Sequence, residues 1–268
     1  MTGYLTKEYA RSFSEQGEPF FLAASGGWGL KIKNKLINPF PFFKSKQLNY
    51  ANLYSDIDYN QSYGFINGKT INSMELILDP LLYKHNTTRF SRQEYKLNYI
   101  NELKKPLRFA HHHWDKIREF AKAGGQVRNV TLYNTVNRTD YAKLFYEMYS
   151  RNSPKKGLDF SENCFISQFN TPGILLFAAE YENKIAGMMM FYLMGENVYY
   201  HLATFPNILS GASYACLYDA LCYFKQLGLE NLMLGSDEEA FSSSEELSEW
   251  KAGWSTREVY NYKLEIKL

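Results

Sequence analysis

Apolar and polar positions alternate most clearly at the end of the chain. Tyr260, Tyr262, Leu264, Ile266 and Leu268 are spaced by Asn261, Lys263, Glu265 and Lys267, which predicts a half-buried strand. Ahead of it, Tyr199 to Phe205 predicts a strand and Asn207 to Ser213 a small-residue turn. Tyr214 to Gly228 then predicts a helix, and Leu229 to Ser236 a second strand. Strand, crossover helix and strand imply two parallel strands with the helix packed across them. Further upstream, Asn137 to Ser150 and Asp159 to Phe169 predict helices. ILLFAAEY and IAGMMMFYLM predict a hairpin closed by Glu182-Asn183-Lys184, with Gly195-Glu196-Asn197 as the next tight turn. After Ser236 the pattern predicts a Ser/Glu loop, then Trp250-Lys251-Ala252-Gly253-Trp254, then the last strand.

The first half is less regular. Thr6 to Gln16 predicts a short helix capped by Thr6. Pro19 to Ala24 predicts a buried strand stopped by Ser25-Gly26-Gly27. From Trp28 to Phe43, Leu30, Ile32 and Leu36 are separated by Lys31, Lys33 and Lys35, which predicts a strand with a basic exposed face. Tyr50 to Phe65 is loop-like, and Met74 to Leu82 predicts a strand. Ser91 to Glu94 fits a capping box and predicts a helix, interrupted at Pro106, resumed through Trp114, Ile117 and Phe120, and stopped at Gly124-Gly125. Gln126 to Tyr133 predicts a strand. Gly124-Gly125 divides the chain into 1–125 and 126–268.

Composition narrows the classes. A hydrophobic fraction of 45% in 268 residues allows a substantial core. A net charge of +2 gives no strong field for nucleic acid. The three cysteines, 164, 216 and 222, form no CxxC and predict reduced thiols. The start of the chain has no apolar signal core, and no run of about 18 apolar residues occurs. The expectation is a cytoplasmic protein without a transmembrane segment. His111-His112-His113 predicts no metal site, because successive helical side chains point about 100° apart. No feature specifies the oligomeric state.

YYHLATF, the turn with Gly211-Ala212 and the following helix–strand unit resemble the corresponding segments of the FemABX acyltransferases. Trp250-Lys251-Ala252-Gly253-Trp254 is similar to the aromatic-Lys-x-Gly-aromatic signature of that family and its BioF2-like relatives. Met148 to Arg151 and LLFAAEYENKIAGMMMFY resemble the part upstream. The likeness runs from about Thr135 to Leu268. It implies an α+β fold with a mixed sheet of GNAT type, in two lobes: an abbreviated one over 1–125 and an acyltransferase lobe over 126–268. One departure is plain. The GNAT phosphate-binding turn reads Gln/Arg-x-x-Gly-x-Gly/Ala, whereas this chain has Asn207-Ile208-Leu209-Ser210-Gly211-Ala212.

The resemblance implies an N-acyltransferase acting on an amine of a cell-envelope or nucleotide-linked precursor. Alternatives are an acetyl-CoA-dependent N-acetyltransferase and a non-catalytic GNAT-like binding module. No tightly bound cofactor is expected. The donor classes are acetyl- or acyl-CoA and aminoacyl-tRNA, with nucleic acid a partner only in the second case. Acyl transfer to an amine needs positive charge near the developing oxyanion and a proton acceptor. Lys251 is the candidate cation and His201 the candidate proton relay. Trp250, Tyr199, Tyr200, Arg151, Ser236 and Asp237 are expected at the substrate, with only one of the two tyrosines facing it. Ser210, Gly211 and Ala212 are expected at the donor phosphates.

Overall fold

The computed structural model describes residues 2–22, 27–32, 35–37, 51–53, 73–78, 81, 92–132, 138–152, 161–206, 209–236 and 245–267. Among them the fold is mixed α/β. The helices are α1 (Lys7–Arg11), α2 (His111–Lys122), α3 (Arg138–Asn152), α4 (Glu162–Phe169), α5 (Ala212–Gln226) and α6 (Glu245–Trp254). A small antiparallel sheet joins β1 (Glu18–Leu22), β2 (Gly27–Ile32) and β3 (Lys35–Ile37). The other strands are β4 (Ala51–Leu53), β5 (Ser73–Leu78), β6 (Arg92–Glu102), β7 (Gln126–Asn129), β8 (Ile174–Tyr181), β9 (Lys184–Met194), β10 (Asn197–Thr204), β11 (Asn231–Ser236) and β12 (Arg257–Lys267). They form one nine-stranded sheet in the order β4-β5-β12-β6-β11-β10-β9-β8-β7.

The apolar run of β9 explains how this sheet is covered. Met188, Met190, Tyr192 and Met194 point into one core, with Tyr4, Tyr9 and Phe13 from the N-terminal segment, Phe145 from α3 and Phe165 from α4. Met189 and Phe191 point into the other, with Leu217, Leu221 and Phe224 from α5 and Trp254 from α6. Strands buried on both faces read as continuous apolar runs, because a period of two puts successive residues into opposite cores. On α5 the buried residues Leu217, Ala220, Leu221 and Phe224 recur at helical spacing. They hold this helix against β9 and β8, and it connects the parallel pair β10 and β11. Among the described residues no helix is long and apolar enough to cross a membrane.

Three expectations are corrected. Residues 92–102 are strand β6, although Ser91 to Glu94 fits a capping box; Ser91 itself lies outside the described residues. β6 hydrogen-bonds along both edges, to β11 and to β12, and that ladder outweighs a cap worth about 1 kcal/mol. Residues 245–254 are helix α6, where a loop was expected; Glu245 and Glu246 lie in its first turn, which favours the helix dipole. β1 is a strand but not a buried one, since Phe21 is 44% exposed. The strand at Gln126 also ends early. The side chain of Asn129 accepts from the Thr131 N–H at 3.1 Å, an Asx turn that starts the 3₁₀ turn Val130–Leu132. Strands from both sides of Gly124-Gly125 share the large sheet: β6, of the first half, lies between β11 and β12, of the second.

Phe224 is fully buried, with ring centroids 5.1 Å from Phe191 and 5.8 Å from Phe177. Phe224→Ala should cost about 3–5 kcal/mol of stability, read as a lower urea midpoint at unchanged slope. A cost below about 1 kcal/mol would show that α5 is not anchored through this ring.

Candidate functional site

β10 and β11 pair at Asn197↔Asn231, Val198↔Leu232 and Tyr199↔Met233, and the pairing stops there. β10 continues to Thr204 beside β9, and β11 continues to Ser236 beside β6. Two parallel neighbours therefore part at their C-terminal ends and leave a notch in the sheet, the usual position for a ligand in an α/β architecture. Both strands bend at that point. The register of β10 against β9 shifts between Tyr200 and Leu202, and that of β11 against β6 shifts between Met233 and Gly235. Gly235 sits at φ +86, a conformation open to glycine and costly for other residues.

α6 brings a charge to this notch. Lys251 is only 2% exposed, and its Nζ donates to the Ser236 carbonyl at 2.9 Å. The end of α6 is held from two directions. The Asn101 side-chain amide on β6 donates to Trp254 O at 2.6 Å, and the Ala110 N–H donates to Gly253 O at 3.0 Å. These are carbonyls a helix C-terminus leaves unpaired. Trp250 stands beside Lys251, with ring centroids 6.2 Å from Tyr200 and 6.3 Å from Tyr214 in the first turn of α5. Trp250, Tyr200 and Tyr214 are half-buried. The result is an ammonium at the end of a strand beside aromatic walls.

The other expected site residues are placed as follows. Tyr199 and Tyr200 point to opposite faces, and Tyr200 is the one on the Trp250 side. Ser236 contributes its carbonyl to Lys251. Asp237 lies outside the described residues. Arg151 is in the last turn of α3, on the opposite layer of the molecule. Its exposed guanidinium meets Glu147 at 3.5 Å, a surface pair of little energetic weight.

His201 has a structural environment. It is fully buried in the N-terminal core, its ring 4.8 Å from that of Tyr192. Its Nδ1 lies 3.2 Å from Tyr4 Oη and its Nε2 2.8 Å from Gln168 Oε1. A neutral ring with its proton on Nε2 satisfies both: it donates to Gln168 and accepts from Tyr4. Burial pushes its pKa down to about 3. A closed, neutral imidazole on the far side of the sheet from Trp250 is no proton relay for chemistry at Lys251.

The turn ahead of α5 faces another helix. A Cβ on Gly211 would lie 2.0 Å from the Lys116 carbonyl of α2, and Gly211 itself sits at φ +83. Ala212 is buried with Phe120. Ser210 Oγ donates to Glu119 Oε2 at 3.2 Å, and Lys116 Nζ bonds Glu119 at 2.8 Å. The hydrogen bond from Lys116 lowers the Glu119 pKa, so a carboxylate stands beside this helix N-terminus. Ser210, Gly211 and Ala212 are packed on α2, where an open phosphate cradle was expected.

Tyr214, Asn101 and His113 were not singled out as site residues from the sequence. Asn101 lies on β6 between Glu102 and the buried Ile100, and its own side chain is buried. The His111 run does not converge: His111 pairs with exposed Asp115, whereas His113 is fully buried. Among the described residues no group of three or more His, Cys, Asp or Glu is placed to hold a metal.

No protein-family profile matches the chain, and no curated protein matches it significantly. Solved structures do share its fold. FemX is 11% identical, with a TM-score of 0.64 over 97% of this chain and 91% of its own. A conserved protein of unknown function from Bacteroides thetaiotaomicron is 12% identical, with a TM-score of 0.65 over 99% and 93%. L-PGS from Bacillus licheniformis is 10% identical, with a TM-score of 0.64 over 98% and 88%. At these identities the likeness establishes the fold, which is the one the FemABX resemblance implied.

Burial also sets a pH dependence. His201 and His113 have folded pKa values lowered to about 3 and about 4, below the unfolded value of about 6.5. Between those values the unfolded chain binds more protons, so stability is full above about pH 6.5 and falls as pH drops. Denaturant unfolding from pH 7.5 to 5 should lose up to about 1.4 kcal/mol per pH unit for each histidine. His201→Gln should be less stable at pH 7.5 and show a shallower fall; a fall as steep as wild type would contradict the buried neutral ring.

Proposed function

We propose, from the fold shared with FemX and L-PGS, that this chain is an N-acyltransferase. It moves an acyl or aminoacyl group onto an amine of a cell-envelope or nucleotide-linked precursor in the cytoplasm. The observation that carries this reading is the unpaired end of β10 and β11 with a buried Lys251 ammonium at its rim. The acceptor nitrogen forms a bond to the donor carbonyl carbon, and the carbonyl oxygen becomes negative. The donor's C–O or C–S bond then breaks, and the proton lost by the acceptor nitrogen ends on the leaving oxygen or sulfur. Lys251 supplies positive charge to the oxyanion, and a charge held in dry surroundings acts more strongly than in water. Trp250, Tyr200 and Tyr214 form the walls that hold substrate and exclude solvent.

The same geometry weighs against an acetyl-CoA enzyme of ordinary type. A pyrophosphate at the N-terminus of α5 would have to displace α2, where the Glu119 carboxylate already bonds Ser210 and the Lys116 ammonium. The donor is therefore read as one not gripped by phosphates at that turn. Calorimetry with acetyl-CoA should show no tight stoichiometric binding; tight binding would move the assignment to the conventional acetyltransferase.

Transfer assays with aminoacyl-tRNA and acyl donors against amine acceptors test the chemistry directly. Lys251→Met keeps much of the apolar stem and should lower turnover about 10²–10³-fold, or about 3–4 kcal/mol of barrier. Lys251→Arg should restore only part, because the guanidinium is planar and differently hydrated. Near-wild-type turnover in a folded Lys251→Met would remove the lysine from the mechanism. Failure with every donor and acceptor, together with a stable protein complex, would favour a binding module.

A further inference from the structure

The glycine of the Trp250–Trp254 segment lies inside helix α6, where backbone freedom gives no reason for it and glycine costs about 1 kcal/mol relative to alanine. Space gives the reason. A Cβ on Gly253 would lie 2.5 Å from His113 Cε1 and 2.8 Å from His113 Nε2. The imidazole also stacks on Trp254, with centroids 4.5 Å apart and an interplanar angle of 29°, and Tyr214 covers it at 5.0 Å. His113 is fully buried, and neither ring nitrogen has a hydrogen-bond partner. An unpaired buried imidazole is costly, so its seat is set by shape and stacking and not by hydrogen bonding. Burial first, and then the charge of His112, lowers its pKa to about 4. The neighbouring Ala110 N–H clamps Gly253 O in the same contact.

We infer that His113 is a positioning residue: its ring fills the space that Gly253 leaves and fixes the end of α6 that presents Lys251 at the notch. The inference rests on the reading of Lys251 as the site cation, but its contacts stand independently of any substrate. α2 thereby packs on α6 through His113 and on the turn before α5 through Lys116.

The test is the rate at which an amine reagent labels Lys251, followed by mass spectrometry against exposed Lys104 as an internal reference. It needs no substrate. Wild-type Lys251 should be protected. Gly253→Ala pushes against His113 and should raise Lys251 labelling about tenfold, equivalent to about 1.4 kcal/mol of local opening. His113→Ala empties the seat and should also raise it. The double variant Gly253→Ala/His113→Ala puts a methyl into the emptied seat and should return labelling toward wild type, with the Lys104 rate constant throughout. A double variant as reactive as His113→Ala alone would overturn the inference, and this comparison holds even where Gly253→Ala alone does not fold. Unchanged protection in a folded Gly253→Ala would overturn it as well. If the labelling cycle behaves as expected while Lys251→Met transfers normally, the seat is real and the transferase role of the lysine fails; the converse result separates them the other way.

Discussion

The structure depends on the early end of one strand pair. β10 and β11 hydrogen-bond through Tyr199↔Met233 and then part. Backbone groups beyond that point lack their in-sheet neighbour on one side, and unpaired buried backbone is costly. The fold answers by giving β11 a full partner in β6 and β10 a full partner in β9, and by bringing the end of α6 to the gap. The Lys251 ammonium donates to the Ser236 carbonyl at the end of β11.

A sheet covered on both faces divides its chemistry between two layers. On one face the N-terminal segment, α3 and α4 enclose Tyr4, Tyr192 and His201 in a polar-aromatic core with paired hydrogen bonds. On the other face α2, α5 and α6 bring Tyr214, Trp250 and Lys251 together. Tyr199 and Tyr200 are adjacent in sequence and belong to different layers. His201 and Lys251 are both ionisable residues near the notch in the chain trace, yet only the lysine side chain reaches it. The same layering places Arg151, at the end of α3, on the side away from Trp250.

α2 accounts for the departure in the turn before α5. Helix N-termini favour anions through their free N–H groups and dipole. Here the Glu119 carboxylate of α2, itself bonded to the Lys116 ammonium, accepts from Ser210 just ahead of that N-terminus. The turn at 209–212 is thus matched by a neighbouring helix, and this match separates the site from a phosphate cradle.

Local pattern determined much of this protein. The strand at β12, the apolar runs of β8 and β9 with their tight turns, and the helical spacing of α5 were legible because each depends on short-range periodicity. The strand–helix–strand order pointed to the ends of β10 and β11, and the resemblance of the Trp250–Trp254 segment to the FemABX signature made Lys251 the candidate. Tertiary structure alone decided the rest. A central β6 requires two distant strands as partners, so the capping-box pattern at Ser91 misled. Which face a histidine joins depends on a bulge and on a segment almost two hundred residues away: His201 pairs with Tyr4 across 197 positions. Helix α6, the seat of His113 and the closing of the α5 turn by α2 all arise from contacts between elements far apart in the chain, and local periodicity carries no information about such contacts.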